Sequence, residues 1–280
     1  MKKNIIIKST FGHEVMAVRF AEALGVKALI IPEKEQFEEY EKESERIFSF
    51  MRFFSPAVKQ VPFNMRNMFE VRDIISELKA GKLADEEWDI FFNGNCKPTI
   101  SGNLPVYHIE KPAVLFVPQK LISDGLCGIT AEQQSLTPAV FNFLKQRDCQ
   151  LVLGQHFNKV NDEKMVRELA AEFDLYVPGM SENTEVFGIR GVKHEMYYDM
   201  YAQLKASVGI AGTHTWIMLA MFPNIPQIIL FNKNGVEHWE AIARAARRSG
   251  RRIYAIGFDE NTNIVELAAD IEATYNLLLA

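Results

Sequence analysis

Between Lys205 and Ala243 the chain reads KASVGIAGTHTWIMLAMFPNIPQIILFNKNGVEHWEAIA, a stretch whose small, hydroxylated and basic residues fall where a strand gives way to a helix. Gly212 permits a tight turn there, and Thr213 or Thr215 can cap the helix that follows. A helix entered this way directs backbone N–H groups outward at the positive end of its dipole, which suits a phosphate or diphosphate. An ordinary capped βα turn needs the same residues. His214 lies inside the turn and can donate to a phosphate or a substrate hydroxyl, or serve as a surface cap. A second concentration of chemistry is Ser9 to Glu14, after the first apolar strand. His13 beside Gly12 stands at a helix start, where the dipole favours the neutral imidazole and hence a general base acting on a hydroxyl. Glu14 is the alternative base or an orienting partner, and simple packing or capping by His13 is the structural alternative.

Further groups fall at the ends of other strands. GIRGVKHE places Arg190, Lys193 and His194 on a glycine-flanked cationic loop able to neutralise a diphosphate without a metal. Lys233, Glu237 and His238 lie just beyond the strand Gln227–Phe231, where a glutamate can accept from ribose hydroxyls. Asn93 and Asn95 flank Gly94 in a predicted loop after a strand at Asp89–Phe92, and Gln155 to Asn158 follow a strand at Gln150–Leu153. The run RAARRSGRR, from Arg244, is cationic and suits an anionic surface or a helix C-terminus. Trp216 reads as core.

The elements that must carry these residues alternate strand and helix. Asn4–Lys8, a helix over Glu14–Leu24 ended by Gly25, and Val26–Ile31 form an opening βαβ unit with parallel strands. Helices are predicted over Met68–Leu78, Asp162–Phe173, Trp216–Met221, Trp239–Arg248 and Ile264–Leu279, and strands over Ala113–Val117, Leu175–Val177, Val208–Ala211 and Arg252–Ile256. Alternation of this kind predicts an α/β chain of two Rossmann-like domains with parallel sheets, residues 1–147 and 148–280. The segment 33–55 runs from charged to aromatic, and its apolar end suits a core or a face turned to a partner or membrane.

Composition narrows the classes. The 280 residues are 48% hydrophobic and 24% charged, as in a globular protein with a substantial core. A net charge of −5 argues against nucleic-acid binding. No apolar run approaches the roughly 20 residues of a membrane span. Three separated cysteines, without a CxxC pair, point to a reducing, cytoplasmic setting with no structural zinc. HExxH, GxxxxGK[ST], GxSxG, DxD and an early GxGxxG are all missing from the sequence.

Gly12-His13 opening HEVMAVRFAEAL, together with VGIAGTHTWIMLAMFPNIPQIILFN, resembles the glycosyltransferases of the GT-B fold, in particular heptosyltransferase-like members. The sugar-nucleotide epimerases share that fold and a similar turn. The resemblance covers about 40 residues, with Ala211-Gly212-Thr213 in place of the family's acidic residue and Ser/Thr-Gly pair. It implies two facing domains, His13 as catalytic base, and Gly212, Thr213 and His214 as diphosphate contacts. It further implies a metal-independent transfer, without a cofactor, from a nucleotide sugar to a bacterial glycan or lipid-linked acceptor. Peripheral contact with the inner membrane face fits such an acceptor, and a scaffold that kept the fold without the reaction is the alternative.

Overall fold

The computed structural model describes residues 4–7, 11–30, 58–60, 70–94, 113–117, 150–153, 201–235, 238–259 and 261–279. Arg190, Lys193, Glu237, Asn95 and the stretches 33–55 and 155–158 lie outside them. Two parallel sheets are present among the described residues. The first joins β1 (Asn4–Ile7), β2 (Ala28–Ile30), β3 (Val58–Gln60) and β4 (Val71–Arg72) in the order β3-β2-β1-β4. The second joins β5 (Ala113–Val117), β6 (Gln150–Leu153), β7 (Leu204–Ile210), β8 (Gln227–Asn232) and β9 (Ile253–Phe258) in the order β6-β5-β7-β8-β9. Every pairing is parallel, with Ile6 opposite Leu29 in the first sheet and Val208 opposite Ile228 in the second. An α/β chain of parallel sheets is therefore what the apolar strands build. β5 precedes residue 147 in the chain yet lies between β6 and β7.

Among the described residues the helices are α1 (Phe11–Leu24), α2 (Ile74–Lys79), α3 (Asp85–Asn93), α4 (Thr213–Met221), α5 (Trp239–Arg248) and α6 (Ile264–Leu279). The chain divides into two compact units. One is Met1–Asn103 with Thr215–Pro223 and Val236–Arg251; the other is Leu104–His214 with Asn224–Gly235 and Arg252–Ala280.

In the second unit, Ala206, Val208, Ile228 and Leu230 of the sheet bury against Leu267, Ile271, Tyr275 and Leu278 of α6. Those four helical positions recur at intervals of three and four, which is one face of an amphipathic helix. Arg252 closes α6 by donating from Nη1 to the carbonyl of Leu278, 2.8 Å away.

In the first unit, α3 replaces the strand expected over Asp89–Phe92. Asp85, Glu86 and Glu87 fill its first turn, where the dipole favours them, and the Ala84 amide donates to Glu87 Oε2 at 3.3 Å. Trp88, Phe91 and Phe92 then share one face, where Trp88 and Phe91 meet Phe20 of α1 with ring centroids 5.1 and 4.4 Å apart. The apolar run DIFF thus follows the helical period. Arg248 of α5 reaches Asp85 and Asp89 at 3.1 and 3.5 Å, and Arg251 donates to the Phe92 carbonyl at 2.6 Å. These members of the basic run are tied to α3.

Arg72 ends β4 in a fork that holds two carboxylates. Its Nε is 2.9 Å from both oxygens of Glu77, and its Nη2 is 3.0 Å from Glu87 Oε2. The hydrogen bond from Arg72 sets the Glu87 carboxyl below its ordinary value of 4.5, with burial opposing. A depressed folded value stabilises fully above 4.5, and the contribution is lost as pH falls through the lower folded value. Replacing Arg72 by Met is expected to cost about 1–2 kcal/mol at neutral pH, the partial exposure of the three side chains keeping it below the cost of breaking a fully buried pair. Urea titrations should show the gap between wild type and variant narrowing below about pH 4. A gap that stays constant with pH would remove Glu87 from the account.

Candidate functional site

Both sheets have a point where the strand order reverses direction. In the second, β6 lies outside β5 and β8 outside β7, so the reversal falls between β5 and β7. In the first it falls between β1 and β4. Ligands of parallel sheets gather beyond the carboxyl ends of the strands at such points. β7 runs there into Ala211 and Gly212, and β1 leads to the start of α1. The two stretches singled out by residue type therefore each follow a strand bordering the reversal of their own sheet.

β7 is buried along most of its length, and Val208 is fully so. Its ladder continues one residue beyond the strand, the Ala211 amide donating to the Leu230 carbonyl at 2.7 Å. α4 begins at Thr213, three residues earlier than expected, and Gly212 takes the position before it. Thr215 falls within the first turn and is buried, so it is not the cap. From Trp216 to Ala220 every side chain is buried, which makes α4 a helix enclosed around its whole circumference. Trp216 meets Trp239 with ring centroids 4.3 Å apart and is core, as expected. Gly212 itself does not have a positive φ, unlike Gly25 and Gly81, which end α1 and α2 at 65° and 63°. Among the described residues, a Cβ built on Gly212 meets a single atom, the Ile210 carbonyl oxygen at 4.0 Å. Backbone strain therefore does not require glycine here. Among the described residues, nothing at that Cβ would oppose close approach of another molecule.

α1 begins at Phe11, so Gly12, His13 and Glu14 belong to its first turn and not to a preceding loop. Val15 to Ala21 are all buried, the charged Arg19 among them. Arg19 donates from Nε to the Ala220 carbonyl of α4 at 2.8 Å, and from Nη1 to Glu22 at 2.7 Å. The residue passed unnoticed in the sequence. A lone arginine in the apolar run VMAVRFA was the available signal.

Lys233 follows β8 and is half exposed, with Nζ 3.5 Å from Asp259 beyond β9. Its stem lies over Gly257, where a Cβ would come within 2.8 Å of Lys233 Cγ. The Thr262 hydroxyl, the Asn261 amide and Lys233 together hold the Asp259 carboxyl below its ordinary range. His238 precedes α5 without capping it through its side chain, and its ring lies over Gly81. Asn93 is the last residue of α3 and not part of a loop, with Nδ2 3.5 Å from Ser249 Oγ.

No protein-family model and no curated protein matches the chain. Solved structures do. E. coli heptosyltransferase WaaC with ADP is 14% identical, the match covering 100% of this chain and 99% of that one with a TM-score of 0.51. E. coli ADP-heptose lps heptosyltransferase II is 13% identical over 100% and 98%, with a TM-score of 0.52. A glycosyl transferase family 9 protein from Veillonella parvula is 8% identical over 99% and 97%, at 0.51. The chain has the fold of these heptosyltransferases. The likeness is one of chain path, and it runs over the full length where the sequence resemblance covered two short stretches.

Proposed function

We propose that the chain is a glycosyltransferase that moves a hexosyl or heptosyl unit from a nucleotide-diphosphate donor to a bacterial cell-surface glycan or lipid-linked acceptor. The observation that carries this reading is the Gly212 turn at the start of α4, which follows a strand bordering the reversal of its sheet in a chain with a heptosyltransferase fold. The donor diphosphate lies against Gly212, Thr213 and His214, with Thr215 buried in the same turn. Arg190, Lys193 and Lys233 balance its charge without a metal, and Glu237 accepts from the ribose. The unit built on the second sheet takes the donor and the unit built on the first takes the acceptor, with Asn93 and Asn95 on the acceptor side.

In the displacement, the acceptor hydroxyl oxygen bonds to the anomeric carbon while the bond from that carbon to the diphosphate oxygen breaks. His13 takes the hydroxyl proton, Glu14 orients it, and the nucleoside diphosphate leaves with the electron pair. The protein works at the cytoplasmic side of the membrane, in peripheral contact where the acceptor is lipid-linked.

Incubation with a panel of nucleotide sugars, with release of nucleoside diphosphate as the readout, tests the proposal. One donor class is expected to be consumed slowly, by hydrolysis, even without acceptor. Consumption of none would favour a scaffold, and interconversion of the sugar without release of diphosphate an epimerase.

A further inference from the structure

Lys233 stands at the carboxyl end of β8, the strand that lies between β7 and β9. Its amide donates to the Phe258 carbonyl at 2.9 Å, so its backbone is still held by the ladder with β9. Phe231 lies opposite Gly257 in that ladder, and residues two apart on a strand share a face. Phe231, Lys233, Gly257 and Asp259 therefore meet on one face at this edge of the sheet. A Cβ on Gly257 would come within 2.8 Å of Lys233 Cγ and 2.9 Å of Phe231 Cζ. Glycine weakens a strand, and at this position it makes a seat for the lysine stem.

The carboxylate that meets the ammonium uses its two oxygens differently. Oδ1 of Asp259 accepts from the Asn261 amide at 3.0 Å and from the Thr262 hydroxyl at 2.9 Å. Oδ2 faces Lys233 Nζ at 3.5 Å. The turn thus fixes the carboxylate, while the lysine is held loosely. With the two side chains 51% and 26% exposed, the pair contributes little and is readily exchanged. Neighbouring strands lie about 4.8 Å apart, so β7 is as near to β8 as β9 is. Gly212 lies two residues beyond Ile210, and Lys233 three beyond Leu230, the last paired residues of β7 and β8. A flexible four-carbon stem spans the gap on either side. Gly212, Lys233 and Asp259 all belong to the second unit.

We propose that Lys233 has two stations, one against Asp259 and one over the Gly212 turn, and that a nucleoside diphosphate draws it from the first to the second. Asp259 is then a positioning residue that competes with the diphosphate for one lysine. The inference rests on the glycosyltransferase reading. Breaking the bond to the sugar leaves a further negative charge on the diphosphate, so the lysine is drawn most strongly to the product. Its recapture by Asp259 eases the departure of that product.

Asp259→Asn, Lys233→Met and the double variant test this as a cycle. Asparagine keeps an oxygen for Asn261 and Thr262 and loses the ion pair with Lys233. Melting temperature and calorimetric affinity for ADP, UDP and GDP are measured on each. For the diphosphate that binds, Lys233→Met is expected to weaken affinity about tenfold. Asp259→Asn is expected to tighten it about threefold, the weight of a half-exposed ion pair. In the Lys233→Met background, Asp259→Asn is expected to change nothing. Equal tightening in both backgrounds would show Asp259 repelling the diphosphate directly. Unchanged or weakened binding in Asp259→Asn would make the pair a surface contact only, and either result overturns the inference. Should Asp259→Asn not fold, Gly257→Ala, which unseats the stem, decides by the same cycle. Wild-type protein that binds none of the three diphosphates would overturn the glycosyltransferase reading as well, so the two failures are told apart.

Discussion

His13→Ala is expected to lose about 100- to 10,000-fold in kcat for transfer, the usual contribution of a positioned general base. Affinity for the donor is expected to stay within about twofold, since the role proposed for the residue lies at the acceptor hydroxyl and not at the diphosphate. The placement behind this expectation is backbone placement. His13 is the third residue of α1, and the helix follows β1, which borders the reversal of the first sheet between β1 and β4. A helix N-terminus in general favours the neutral imidazole, the form that accepts a proton. Glu14→Gln is the companion measurement. A small effect in Glu14→Gln beside a large one in His13→Ala assigns the base to His13, the reverse pattern assigns it to Glu14, and full turnover by His13→Ala removes His13 from the mechanism.

Gly212→Val should weaken binding of nucleoside diphosphate about 100-fold, and Gly212→Ala about tenfold. Stability should change by less than about 1 kcal/mol for the alanine variant. Most glycine replacements at a turn act through the fold, and here the geometry argues against that. The φ of Gly212 is not positive, and within the described residues its Cβ direction meets a single oxygen at 4.0 Å. A side chain there clashes with none of the described residues, and it stands in the way of a diphosphate that approaches the first turn of α4 as the dipole favours. Chemical denaturation and calorimetry on the same preparations separate the two effects. Lost stability with unchanged affinity would assign the glycine to folding.

Much of this architecture is legible in the sequence. Trp239–Arg248 and Ile264–Leu279 are helices over the residues that their periodicity predicts, and β8 differs from expectation by one residue. Apolar runs flanked by Gly, Pro or Thr marked β1, β7 and β9 for the same reason. The misses have physical causes. α1 and α4 start three residues early because Gly12, Thr213 and Thr215 are poor helix formers whose preference is overridden by burial of the helices they begin. β3 and β4 are three and two residues long and include Lys59, Gln60 and Arg72, so no apolar run announces them. Only their pairing with distant strands makes them strands. The Gly212 turn was readable because its residues are neighbours in the chain. The partner of Arg19 lies 201 residues away, at a distance no local pattern encodes.

The most direct measurement is a calorimetric titration of the wild-type protein with ADP, UDP and GDP and their monophosphates, in the presence of a chelator, repeated on Gly212→Val. One diphosphate is expected to bind with a micromolar dissociation constant (about −8 kcal/mol), its monophosphate at least about tenfold more weakly, and the diphosphate to the variant about 100-fold more weakly than to wild type. Absence of any diphosphate binding, its loss on chelation, or its survival unchanged in Gly212→Val would contradict a metal-free diphosphate site at the start of α4.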